Sequence, residues 1–130
     1  MTLTKNKLPE VWADVLASVS DFTEIQQQSF DVISSGQNVL ATSPTGTGKT
    51  LAYLLPSLLK VKKKQGQQLL ILAPNSELAG QIFEVVKSLA ERLSLSANLI
   101  ISGASIKSQI ERIKKWPVII VATHGRALEL

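Results

Sequence analysis

Apolar residues recur along this chain in two periods that take turns. Leu8, Trp12, Val15 and Val19 stand at helical spacing, with Pro9 acceptable in a first turn, and predict a helix over 8–19. Residues 23–33 read as a second helix, stopped near Gly36. The short apolar run "NVLAT" at 38–42 predicts a buried strand. Residues 49–59 return to the helical period, and Pro56 should bend that helix or end it early. "QLLILAP" at 68–74 is a continuous apolar run, as in strands covered on both faces. Leu78, Ile82, Val85, Leu89 and Leu93 mark a long amphipathic helix, with Asn75 or Ser76 as its cap. A strand over 97–102, a helix over 105–114 with Ile106, Ile110 and Ile113 on one side, and a strand over 117–122 follow. A further helix begins at Thr123, and the chain stops within it without a cap or turn signal, as expected of a cut end. Strand and helix in alternation predict an α/β fold with crossover connections and a parallel sheet.

Composition narrows the class without naming a function. The chain has 130 residues, 45% hydrophobic and 18% charged, enough for one domain or a piece of one. It has no cysteine, which excludes a disulfide framework and a cysteine-built zinc site and fits a reducing compartment. The N-terminus lacks the apolar run and cleavage site of a signal peptide, and no apolar stretch is long enough to span a membrane. The net charge of +4 suits a polyanionic partner. Its densest part, "KVKKK" at 60–64, follows a predicted helix, where lysines also favour the dipole and keep the surface soluble.

The strongest chemical signal is "SPTGTGKT" at 43–50, between the predicted strand at 38–42 and the predicted helix from 49. Small residues there let backbone N–H groups crowd around phosphates, and a helix N-terminus turns its positive end toward them. Ser43, Pro44, Thr45, Gly46, Thr47 and Gly48 would form the cradle. Lys49 would neutralise the β- and γ-phosphates, and Thr50 would offer its hydroxyl to magnesium, which makes these two the catalytic candidates. A glycine-rich turn that merely joins strand to helix would not need the lysine and threonine. Ser43 stands where the strict phosphate-loop pattern has glycine, a substitution found in helicase-type loops.

With "FTEIQ" at 22–26 ahead of that loop, the chain resembles the DEAD-box family of ATP-dependent RNA helicases. The resemblance implies a RecA-like P-loop NTPase fold, ATP or ADP and Mg²⁺ as cofactors, a cytoplasmic location, and RNA bound by its sugar-phosphate backbone. It also implies that the chain is the N-terminal part of a first RecA-like domain, with a glutamine region over 8–36. The remainder, including a second RecA-like domain of the same chain, would be absent. Within that region Thr23 and Gln26 would meet the adenine, the Gln26 amide donating to the ring and accepting from the exocyclic amine. "TEIQ" is equally a capping box, in which Thr23 caps the helix and Gln26 reaches back to it. Phe22 and Glu24 replace the family's prolines, which points to looser base selectivity.

"PNSELAGQ" at 74–81 resembles the family's Pro-Thr-Arg-Glu-Leu-Ala segment, with Asn75 and Ser76 in place of threonine and arginine. "SGA" at 102–104 keeps Gly103 of a Gly-Gly turn, and "ATHGR" at 122–126 resembles Thr-Pro-Gly-Arg, with His124 for the proline. Pro74, Asn75, Gly103, Thr123, Gly125 and Arg126 are therefore the expected RNA contacts. Thr123 would cap its helix, Gly125 would allow close approach, and Arg126 would pair with a phosphate. The chain's one histidine, His124, is expected in a loop and has no second ligand for a metal site. The loop's usual acidic partner is missing: beyond Thr50 the acids are Glu77, Glu84, Glu91, Glu111 and Glu129, and none ends an apolar strand. The family's Asp-Glu-Ala-Asp segment would follow this chain's last helix, so the piece alone should bind nucleotide weakly and hydrolyse none. Two other readings stay open: a non-catalytic nucleotide- or RNA-binding module, and a nucleotide kinase. The kinase would need an arginine-rich lid, and only Arg92, Arg112 and Arg126 are present.

Overall fold

The computed structural model describes residues 3–44, 48–62 and 66–130. The chain forms two compact units, Met1–Lys60 and Val61–Leu130, each with its own apolar seam.

In the first unit the stripe over 8–19 does not form one α-helix. It forms two single-turn 3₁₀ helices, Lys5–Lys7 and Glu10–Trp12, followed by turns. Pro9 is the reason, because it pushes the residue before it out of the helical region. Leu8 is accordingly extended at ψ 156°, and Pro9 itself sits at ψ 137°. The apolar spacing still places Leu8, Trp12 and Leu16 inside.

Helix α1 (Glu24–Ser34) packs against helix α2 (Lys49–Lys60). Thr23 and Gln26 close a complete capping box at the start of α1. At its other end the Gly36 N–H bonds Ile33 O at 3.0 Å, with Gly36 at φ +86°. Pro56 does not end α2 early: the helix runs on to Lys60. A proline inside a helix costs about 3 kcal/mol. Leu54, Leu55 and Leu58 are all buried around it, and burial of roughly 1.5–3 kcal/mol per leucine outweighs that cost.

The strand expected at 38–42 does not form, and Leu40 is 93% exposed. A strand is held by its ladder partners, and the three strands among the described residues pair only with one another.

The second unit alternates as the pattern predicts: β1 (Leu69–Ala73), α3 (Ser76–Arg92), β2 (Ala97–Ile100), α4 (Ile106–Ile113), β3 (Ile119–Thr123) and α5 (His124–Glu129). The sheet is parallel in the order β1-β3-β2, with Ala73 opposite Thr123 and Ile100 opposite Ala122. All three strands therefore deliver their following loops to one edge. Central β3 is covered on both faces, with Ile119, Val121 and Ala122 buried. Edge strand β1 is not, since Leu70 and Leu72 are 57% and 53% exposed while Ile71 and Ala73 are buried. Two helices turn differently from their predicted stripes. Helix α3 buries Ala79, Ile82, Val86, Leu89 and Ala90 and leaves Leu78 exposed, because small Ala79 and Ala90 allow close approach to the sheet. Helix α4 exposes Ile106 and Ile110 and buries Gln109. Among the described residues no helix is long and apolar enough to cross a membrane.

Candidate functional site

The first unit gathers the glutamine and the loop residues. Gln26 is 4% exposed, and both ends of its amide are used. Its Oε1 accepts from the Thr23 N–H at 2.9 Å, and its Nε2 donates to Gly48 O at 3.1 Å. The Thr23 hydroxyl accepts from the Gln26 N–H at 3.4 Å. The capping box is thus real, and it does more than cap: it ties α1 to the last loop residue before Lys49. Gly48 is at φ +80°, and a Cβ there would strike the Gln26 Nε2. Glycine is required by both conformation and space.

Lys49 opens α2 with its side chain exposed, and Thr50 follows half-buried. Thr45, Gly46 and Thr47 lie outside the described residues. Ser43 and Pro44 border a cleft of about 480 Å³ together with Thr23, Ile25 and Thr42. Lys49 borders a neighbouring cleft of about 310 Å³ with Ile25, Ser29 and Tyr53. Tyr53 went unnoticed in the sequence, although it lies one turn beyond Thr50. Burial raises its hydroxyl pKa above the ordinary 10.0, and a hydrogen bond with Thr50 offsets part of that rise. Among the described residues no group of three or more His, Cys, Asp or Glu side chains could hold a metal.

The second unit brings its three candidate RNA segments to the C-terminal edge of the sheet. Asn75 caps α3, its Oδ1 accepting from the Leu78 N–H at 2.8 Å, and Pro74 beside it is exposed. Gly103 sits at φ +88° in an exposed turn. Gly125 has open space where a Cβ would lie. Thr123 occupies the cap position of α5, but its hydroxyl makes no capping bond and is buried without a partner among the described residues. It does not cap as expected, because the hydroxyl is enclosed at the end of β3. His124 is the exposed first residue of α5, not part of a loop.

Arg126 turns inward. Its side chain is 12% exposed, and its Nη1 donates at 3.0 Å to both Ala104 O and the Gln109 Oε1. The Nε lies 3.1 Å from the Glu129 Oε2, with its N–H not aimed at that oxygen. Sequence reasoning missed Gln109. The available signal was a polar residue between Ile106, Ile110 and Ile113 on one helical stripe. A depression of about 610 Å³ between α3 and β2 holds none of the motif residues.

A parallel α/β chain with a glutamine tied to a phosphate loop defines a helicase-type P-loop protein. Residues 23–130 match the DEAD/DEAH box helicase family, and the chain belongs to it. It is 47% identical over 124 residues to the DEAD-box ATP-dependent RNA helicase CshC of Bacillus cereus, covering 95% of this chain and 31% of that protein. It is 49% identical over 109 residues to the probable ATP-dependent RNA helicase YfmL of Bacillus subtilis, covering 83% of this chain and 29% of the relative. The crystal structure of a hypothetical ATP-dependent RNA helicase from Sulfolobus tokodaii superposes with a TM-score of 0.77 at 30% identity, over 91% of this chain and 34% of that one. The fold is accordingly the RecA-like α/β fold. The chain spans about a third of the length of these curated relatives.

Proposed function

We propose that this chain is the nucleotide-binding part of the first RecA-like domain of an ATP-dependent RNA helicase. The whole protein would couple ATP hydrolysis to local separation of RNA duplexes or remodelling of RNA–protein complexes, in the cytoplasm. The observation that supports this most is the bond from the Gln26 Nε2 to Gly48 O. It supports the reading by holding the base-reading candidate against Gly48, the residue before Lys49.

In this reading Thr23 and Gln26 read the adenine, residues 43–48 cradle the phosphates, and Lys49 neutralises their charge. Magnesium, when bound, would supply positive charge against the phosphates, and Thr50 is the residue of this chain that would help hold it. Carboxylates and a second RecA-like domain elsewhere in the protein would complete hydrolysis. RNA would lie along the edge that carries Pro74, Asn75, Gly103, Thr123 and Gly125, held by backbone contacts with little sequence preference.

The test is a titration with a fluorescent ADP analogue beside a phosphate-release assay. The chain should bind the analogue, Lys49→Ala should weaken binding roughly tenfold or more, and neither should release phosphate. No binding by the unmodified chain would overturn the nucleotide reading. Phosphate release proportional to the chain and abolished by Lys49→Ala would overturn its inactivity in isolation.

A further inference from the structure

Gln109 is the one residue of α4 that is fully inside, at 1% exposed, and a buried amide has to find partners for both its ends. The Nε2 donates to Ile101 O at 2.8 Å, and the Oε1 accepts from the Arg126 Nη1 at 3.0 Å. The same Nη1 donates to Ala104 O at 3.0 Å. The two carbonyls that flank Ser102 and Gly103 are thus held by two side chains that also hold each other. The result is a closed ring of hydrogen bonds between the Gly103 turn, α4 and α5. Ser102, Gly103 and Ala104 stay exposed above it, and the Ser76 hydroxyl adds a longer tie of 3.4 Å to Ser102 O.

An arginine meant to grip a phosphate is usually offered to solvent as an open fork. Here one arm of the guanidinium is spent on two internal oxygens, and the side chain is nearly covered.

We propose that Gln109 is a positioning residue for RNA. Together with Arg126 it fixes the spacing between the Gly103 turn and the start of α5, so that both meet one phosphate backbone in register. Arg126 acts through this clamp and not as a phosphate ligand. The proposal rests on the RNA-facing reading of this edge.

The test measures binding of a fluorescein-labelled single-stranded uridine oligonucleotide to the 130-residue chain across a salt series. Gln109→Leu should weaken binding about tenfold, the scale on which misplaced groups act, and leave the salt slope as in the unmodified chain. Arg126→Met should weaken it similarly with the slope unchanged, and the double variant should bind no worse than the weaker single one. Gln109→Glu, which keeps an acceptor for Arg126, should fall between; if Gln109→Leu does not fold, this variant carries the test. Affinity for the ADP analogue should stay within about twofold throughout, because the clamp lies outside the nucleotide unit. RNA binding by Gln109→Leu equal to the unmodified chain would overturn the proposal. So would a slope lowered by about 0.7 in Arg126→Met, the mark of one lost phosphate contact on a single strand. If the unmodified chain binds the ADP analogue but no oligonucleotide, the RNA-facing reading itself fails and the clamp fails with it.

Discussion

Two buried glutamines, one in each unit, use the same chemistry in different ways. Gln26 and Gln109 each donate from Nε2 to a backbone carbonyl, Gly48 O and Ile101 O, and each accept at Oε1. They differ in what Oε1 accepts from. For Gln26 it is the N–H of Thr23 at a helix start, a group that a nucleotide base can replace as partner. For Gln109 it is a nearly enclosed guanidinium that also donates to Ala104 O. In the proposed reading the first glutamine exchanges partners to meet a ligand, whereas the second holds a shape.

The largest effect expected from this contrast is on stability. Gln109→Leu should cost about 2 kcal/mol, since it removes the donor to Ile101 O and a charge-assisted bond from the Arg126 guanidinium. Gln26→Leu should cost about 1 kcal/mol, because both partners it abandons, the Thr23 N–H and Gly48 O, are neutral, whereas Gln109 also loses a charged one. Urea unfolding of both variants checks the order, and equal costs would erase the distinction.

Gly48→Ala comes next, at about 1–2 kcal/mol, from a left-handed backbone and a collision with the Gln26 amide. The same substitution at Gly125, where a Cβ meets open space, should leave unfolding unchanged within about 0.5 kcal/mol. Any loss of RNA binding in Gly125→Ala then reports close approach and not damage to the fold.

The smallest effect concerns Tyr53, the chain's single tyrosine. Its pKa is raised in the folded chain, so the unfolded chain ionises first. Its contribution to stability should be whole below about pH 10 and fall as the pH rises past that value. Ultraviolet titration of the phenol reads this residue alone. Tyr53→Phe should remove the tyrosine part of the alkaline loss, and an identical alkaline decline in that variant would contradict the assignment.

What could be read from the sequence follows what is local. Capped helices α1 and α3 and the apolar strands of the second unit declare themselves by period, and the two helices also by Thr23 and Asn75 at their starts. The phosphate loop is legible because its residues sit side by side in the chain. The strand at 38–42 misled because a strand exists only with a partner, and apolar Val39 and Leu40 cannot show whether one is present. Pro56 misled because its penalty is local while the leucine burial that outweighs it is tertiary. Arg126 was legible as part of a motif but not in its direction, which is set by Gln109 seventeen positions away. The cap at Gln26 is what the structure shows, whereas the base reading depends on a ligand and stays a proposal.

The most direct test of the account is a competition between ADP and GDP for the unmodified chain and for Gln26→Ala. A glutamine that reads adenine should favour ADP by about 1–3 kcal/mol, roughly tenfold or more, and Gln26→Ala should bring the ratio close to one. Equal affinity for the two nucleotides in the unmodified chain would mean that Gln26 only caps its helix and braces Gly48, and the nucleotide site would lose its base reader.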